Sequence, residues 1–148
     1  MLIVKLFLMS EPYVNNNPRA TSDEIKIGEF LDSQAQLGQL SGVIRVEGAA
    51  EIPGSRSGDY RFIHPDGSQT SADLMQPQTK RTRSIAQNII EKSNQAKIVV
   101  IELARGESNQ IKINEAQNMA DAVISTPDCG ISRIIIIKSN QIIVDISR

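Results

Sequence analysis

Apolar residues along the chain fall into two patterns, short β-branched runs and longer stripes with helical spacing. The isoleucine- and valine-rich runs at residues 98–103 and 134–137 predict strands that are buried on both faces. Alternating or short apolar segments predict five further strands, at residues 2–9, 43–46, 59–63, 69–75 and 142–146. The last of these forms a hairpin with the run that starts at Arg133.

Three helices are predicted between these strands. The first covers about residues 22–37, because Thr21 stands three residues before Glu24, the spacing of a capping box, and apolar residues follow with helical spacing. The second begins after Ser84, and the third covers about residues 114–125. The polar, proline- and asparagine-rich residues 10–20 predict a loop or flexible arm.

The order of these elements predicts an α/β fold with a mixed central β-sheet flanked by helices. The length fits a single domain with three parts, namely an N-terminal strand and arm (1–20), an αβββαβ core (21–103), and an extra helix with a C-terminal β-hairpin (104–148). The αβββαβ order is that of the PD-(D/E)xK nuclease superfamily, in which one acid stands near the start of the second core strand, and a second acid and a lysine stand on the third.

Charge is distributed unevenly. The formal net charge of −1 argues against a protein coated in basic residues. Residues 54–97, however, hold seven basic and four acidic residues, a local net charge of +3. Within them Lys80, Arg81 and Arg83, the basic cluster, precede or begin the second helix, and Gln78 adds a neutral donor. Cations oppose the dipole of a helix N-terminus, and a bound phosphate would relieve that conflict, although a solvated helix start also fits.

Two carboxylates occupy the positions that this topology brings together. Asp59 begins the second core strand and Asp73 lies on the third, and a hairpin connects the two strands. Paired carboxylates bind Mg²⁺ or Mn²⁺, and such an ion polarises a phosphodiester and activates water. Glu29 on the first helix would add a third carboxylate. The alternative is that each acid is an ordinary loop or surface residue.

Several short motifs in this segment resemble the C-terminal nuclease domain of contact-dependent growth inhibition toxins. The resemblance covers about residues 22–146, and the closing hairpin belongs to it. The motifs are Gly28-Glu29 on the first helix, Asp59-Tyr60 at the next strand, Asp73 followed by Pro77, and Lys92 with Gln95-Ala96 before a hydrophobic strand.

The resemblance implies metal-dependent cleavage of RNA, often tRNA, by a toxin that an immunity protein would neutralise. It makes Asp59 and Asp73 the metal-binding acids and Glu29 an accessory acid, and it places Lys92 and Gln95 on the helix beside them. The superfamily lysine, two residues after the second acid, is replaced by Met75.

Met75 leaves two alternatives, and a third reading rests on the C-terminal hairpin. Lys80 or Lys92 supplies the missing ammonium from a neighbouring element, since a lysine side chain is long and flexible. Otherwise the site is degenerate and the chain is a binding module of the same fold. A third reading is a structural protein that forms a homodimer through the hairpin at residues 133–146, because an isoleucine-rich edge strand invites pairing.

Cysteine, histidine and targeting signals exclude several classes. One cysteine and one histidine leave no intramolecular disulfide and no two-histidine metal site. Cys129 is expected to be buried or in a turn, and Tyr60 and Phe62, two apart on one strand, are expected in the core rather than stacked on a base. The apolar N-terminus is too short to span a membrane, so a cytoplasmic protein without membrane contact is expected.

Overall fold

A computed structural model of the chain describes residues 10–50, 58–94 and 96–148. The predicted strand at residues 2–9 lies outside the described residues. The chain divides into two compact units, Met1–Ser71 and Ala72–Arg148. None of the described helices combines the length and apolar character that crossing a bilayer requires.

The elements follow the predicted order. The helices are α1 (Ser22–Gln36), α2 (Thr82–Glu91) and α3 (Ile113–Ile124), with short 3₁₀ helices at Lys92–Asn94 and Gly106–Gln110. The strands are β1 (Arg45–Gly48), β2 (Tyr60–Ile63), β3 (Gln69–Met75), β4 (Ile98–Glu102), β5 (Arg133–Lys138) and β6 (Gln141–Ser147). They form one six-stranded sheet in the order β1-β2-β3-β4-β5-β6.

The sheet is mixed, which confirms the predicted fold class. The pairs β1–β2 and β5–β6 are antiparallel, whereas β3–β4 and β4–β5 are parallel. Each parallel pair is joined by a crossover that contains a helix, α2 in the first case and α3 in the second, as parallel neighbours require. The carboxyl ends of β3, β4 and β5 therefore lie at the same edge of the second unit.

The second unit has a continuous apolar core. Its two helices contribute Ile85, Ile89, Ala116, Met119, Ala120 and Val123, and its strands contribute Met75, Val99, Ile101, Ile134, Ile136 and Val144. The predicted interior strands, β4 and β5, are buried along almost their whole length. Cys129 joins this core as a buried free thiol, as expected.

Local signals explain where the elements begin and turn. The Thr21 hydroxyl accepts a hydrogen bond from the Glu24 N–H at 3.1 Å, so Thr21 caps α1 as predicted. Ser139 and Asn140 both have positive φ (52° and 60°), the geometry of a two-residue turn that matches the twist of the β5–β6 hairpin. β6 is the last strand in the sheet order, and homodimerisation through this hairpin stays a prediction.

The arm at residues 10–20 has no helix, but it is fastened to the first unit. Glu11 exchanges two hydrogen bonds with the Gln36 side chain, from its N–H at 2.7 Å and through its carbonyl at 2.9 Å. Gly48 at the end of β1 donates to the Val14 carbonyl at 2.9 Å and accepts from the Asn16 N–H at 3.1 Å. The prediction of a loop is confirmed, and these hydrogen bonds attach the loop to the first unit.

Candidate functional site

Asp73 and Lys92 meet in the second unit. Asp73 lies in the middle of β3, opposite Val99 in the parallel ladder with β4. Lys92 is the C-cap residue that follows α2, where a cation also suits the helix dipole. The Lys92 Nζ is 3.0 Å from Asp73 Oδ2, and the carboxylate side chain is 11 % exposed against 32 % for the lysine. The crossover thus brings an ammonium to the second predicted acid.

Burial explains why position 75, two residues after Asp73, holds an apolar residue. Side chains two apart on a strand share a face, so Met75 lies on the face of Asp73. It is 8 % exposed and packs in the core with Ile85 and Ile89 of α2. A lysine there would bury its ammonium among isoleucines, which is costly without a partner. The only ammonium that the described residues place in an ion pair with Asp73 belongs to Lys92.

The basic cluster lies at the start of α2, on the exposed surface of the second unit. The helix begins at Thr82 with Arg81 as its N-cap, so the prediction that Ser84 caps it is wrong. The first turn has no acidic residue, and the cap position makes no side-chain hydrogen bond. Lys80 pairs with Glu107 at 3.4 Å, and both side chains are about 60 % exposed (59 % and 61 %). Of the two lysines proposed as substitutes, Lys92 contacts Asp73, and Lys80 contacts Glu107.

The remaining predicted site residues are placed as follows. Gln78 is exposed, and its carbonyl accepts a hydrogen bond from the Glu107 N–H at 2.7 Å. Gln95 lies outside the described residues. Asp59 and Glu29 belong to the first unit, where Asp59 precedes β2 and Glu29 is exposed on α1. The Asp59 carbonyl accepts from the Ala49 N–H at 2.9 Å, and this bond fixes the entry to β2.

The described part of the chain contains no group of three or more His, Cys, Asp or Glu side chains arranged to hold a metal ion. Mg²⁺ is commonly held in enzymes by one or two carboxylates together with substrate phosphates and water. The carboxylate of Asp73 has the hard oxygen ligands that this mode of binding uses.

Aromatic and histidine side chains near β2 have structural roles. Tyr60 and Phe62 are buried in the first unit, which confirms the core prediction, and the Tyr60 hydroxyl donates to the Glu24 carbonyl at 2.6 Å. The two ring nitrogens of His64 contact the Gly42 carbonyl at 2.7 Å and the Thr70 hydroxyl at 2.6 Å. These two contacts give His64 a structural role at the β2–β3 turn.

Asp32 is a buried carboxylate that the sequence reasoning missed. It is 1 % exposed and accepts four hydrogen bonds, from Arg45 Nε and Nη2, the Val46 N–H (each 2.9 Å) and Gln36 Nε2 (3.0 Å). The hydrogen bond to Asp32 raises the pKa of Arg45 further above its usual range. Asp32 follows Leu31 within the buried stripe of α1, and a carboxylate inside an apolar stripe was the available signal.

The role of Tyr13 was also not predicted from the sequence. Its position next to Gly28 explains why a glycine is needed there. A Cβ on Gly28 would collide with the Tyr13 hydroxyl, and one on Gly48 would come within 3.0 Å of it. Burial raises the pKa of the Tyr13 phenol well above its usual range, and the neighbouring carboxylates, led by Asp32 and Glu29, raise it further. The Gly28-Glu29 motif thus provides room for an aromatic side chain from the arm.

We expect the effect of Gly28→Ala to change sign when Tyr13 is removed. In the wild-type background the new methyl group overpacks against the ring and destabilises the protein by about 1–3 kcal/mol. In a Tyr13→Ala background the same change replaces a mid-helix glycine without a clash and stabilises by about 0.5–1 kcal/mol. Urea denaturation of the four proteins measures this coupling, and equal effects in the two backgrounds would contradict it.

One solved structure resembles the chain. It is described as a CdiA-CT/CdiI toxin and immunity complex from Burkholderia pseudomallei, and the chain superposes with a TM-score of 0.55 at 21 % identity, over 93 % of this chain and 98 % of that one. No protein-family model and no curated protein sequence matches the chain significantly. At this identity the likeness concerns the fold, which the two chains share over almost their whole lengths.

Proposed function

We propose that the chain is the nuclease domain of a contact-dependent growth inhibition toxin and that it cleaves RNA, with tRNA as the preferred substrate. The observation that carries the proposal is the 3.0 Å contact between Lys92 Nζ and Asp73 Oδ2. It supplies the acid and ammonium that the superfamily combines on one strand, although Met75 occupies the usual lysine position. The fold shared with a chain of a toxin and immunity complex supports the same class.

In this proposal Asp73 and Asp59 are the metal-binding carboxylates, and Glu29, Gln78 and Gln95 are accessory groups. A bound Mg²⁺ or Mn²⁺ would polarise the phosphodiester and lower the pKa of the attacking water. Lys92 stabilises the negative charge that develops on the phosphate, since a preorganised cation in a partly buried site acts more strongly than one in water.

The proposed partners follow from the same class. The basic cluster, Lys80, Arg81 and Arg83, contacts RNA phosphates, since the first turn of α2 has no acidic residue and the N–H groups of a helix's first turn have no partner within the helix. We propose an immunity protein as the second partner, because the matching structure is a complex of that kind. Action in the cytoplasm of a target cell belongs to this proposal.

Cleavage of purified tRNA tests the function. We expect cleavage with Mg²⁺ or Mn²⁺ that stops with EDTA, and a loss of at least about 10³-fold in Asp73→Asn and in Asp59→Asn, because metal binding and charge stabilisation fail together. Asp121→Asn, an exposed position on α3, is the matched control and keeps wild-type activity. A folded wild-type protein that cuts no tRNA, other RNA or DNA contradicts the proposal, and cleavage of DNA alone corrects the substrate.

A binding module with a degenerate site is the second candidate, and the buried Met75 favours it. Such a module binds RNA with or without metal and cuts nothing. The same tRNA assay, combined with a binding measurement in EDTA, separates the two candidates.

A further inference from the structure

Two loops of the second unit are fastened together at the carboxyl ends of β3 and β4. The first loop, residues 76–81, leads from β3 into α2, and the second, residues 103–107, follows β4 and includes the first two residues of the 3₁₀ helix Gly106–Gln110. Gln76 Nε2 donates to Glu102 Oε1 at 2.9 Å where the loops begin.

The second loop is shaped for this contact. Gly106 has a φ of +55°, and a Cβ on it would lie 2.6 Å from the Gln78 carbonyl oxygen, so only glycine fits. The next residue, Glu107, donates its N–H to the same carbonyl at 2.7 Å. The buried Ser108 donates its hydroxyl to the Arg105 carbonyl at 2.6 Å and its N–H at 3.1 Å, which holds the turn from inside.

This docking adds two exposed charged residues to the surface that bears the basic cluster. Arg105 directly precedes Gly106, the residue in contact with Gln78, and its side chain is on the exposed surface. Glu107 reaches Lys80 of the first loop with 3.4 Å between Oε2 and Nζ. An ion pair this exposed is weak, so a phosphate group can replace the carboxylate at Lys80.

We propose that the Arg105–Glu107 segment is the second half of the RNA-binding surface begun by the basic cluster. Arg105 contacts an RNA phosphate. In the free protein Glu107 forms an ion pair with Lys80, and this pair lowers the affinity of the surface for RNA. The inference rests on the proposed function, which it deepens by naming residues that the sequence motifs do not include. Arg105 suits this role because a guanidinium binds a phosphate with two parallel hydrogen bonds.

Salt-dependent binding of labelled tRNA tests this, with EDTA present so that no strand is cut. We expect Arg105→Gln to weaken binding about 3- to 10-fold and to reduce the slope of log K against log salt by about 0.7–0.9, the loss of one phosphate contact. Glu107→Gln is expected to tighten binding about 2- to 5-fold, and this gain is expected to vanish in a Lys80→Gln background, where no ammonium is left to release.

Two controls carry the same charge changes outside the two loops. Arg148→Gln removes an exposed guanidinium after β6, and Asp121→Asn removes an exposed carboxylate near the end of α3 and keeps an oxygen that accepts the Gln117 amide N–H. If Arg105→Gln and Glu107→Gln behave like these controls while Lys80→Gln and Arg81→Gln weaken binding, the inference is wrong and the proposed function stands. If the wild-type protein binds no tRNA, RNA recognition fails for both.

Discussion

Replacement of Asp32 by alanine is expected to lower the free energy of unfolding by about 3–5 kcal/mol. The substitution removes a carboxylate that is 1 % exposed and accepts four hydrogen bonds. It leaves the buried Val46 N–H without its acceptor, and it removes the buried one of the two carboxylates that pair with Arg45, whose other partner is the exposed Glu11 at 2.6 Å. The loss exceeds that of a surface ion pair because the Val46 N–H, on a residue that is 0 % exposed, cannot regain water in the folded state.

Urea denaturation measures this loss, with Asp145→Ala as the matched control. Asp145 on β6 also binds an arginine through two hydrogen bonds, to Arg133 Nε at 2.8 Å and Nη2 at 2.7 Å, but its side chain is 24 % exposed. The expected cost there is about 1–2 kcal/mol, because the carboxylate itself is partly exposed and no buried backbone N–H, like that of Val46, loses its acceptor. Equal costs at the two positions would show that burial is not the reason for the effect of Asp32.

Replacement of Lys92 by glutamine is expected to lower tRNA cleavage about 10²- to 10³-fold, the usual cost of removing one group that stabilises transition-state charge. Glutamine keeps an N–H donor for Asp73 but carries no charge, so the loss falls on kcat more than on KM. Lys92→Arg keeps the charge and is expected to recover part of the activity, limited by the different shape of the guanidinium.

The midpoints of thermal unfolding of the same variants distinguish a catalytic role of Lys92 from a structural one. A lysine that only neutralises Asp73 would, when replaced, lower the midpoint and leave the cleavage rate of the folded fraction unchanged. Lys97→Gln, five residues along the chain and exposed, serves as the charge-matched control and is expected to change neither quantity. Unchanged cleavage by Lys92→Gln would remove Lys92 from the chemistry.

The sequence predicted most of the secondary structure because the signals that decide it are local. The β-branched runs became β4 and β5, and the Thr21 cap fixes the start of α1. The start of α2 was placed three residues late, because Ser84 is a good cap by type while Arg81 is not. No local sequence preference favours Arg81 as a cap. The hydrogen bond from the Glu107 N–H to the Gln78 carbonyl shows that tertiary contacts hold this loop.

The contacts around the candidate residues were less predictable, because they join residues that are far apart in the sequence. Asp73 and Lys92 are 19 residues apart and meet only because α2 crosses back over β3. Tyr13 reaches Gly28 only because the arm docks on the first unit. Motif spacing identified Gly28, Asp73 and Lys92 as residues of interest, but the contact partner of each could be identified only from the structure.

The burial of Met75 also constrains how the chain can change. A lysine at position 75 would place an ammonium in the apolar core that Met75 shares with Ile85 and Ile89 of α2. A strand lysine two residues after Asp73 is therefore not accessible by one substitution. It would have to be designed together with a repacked α2 and a new hydrophobic interior.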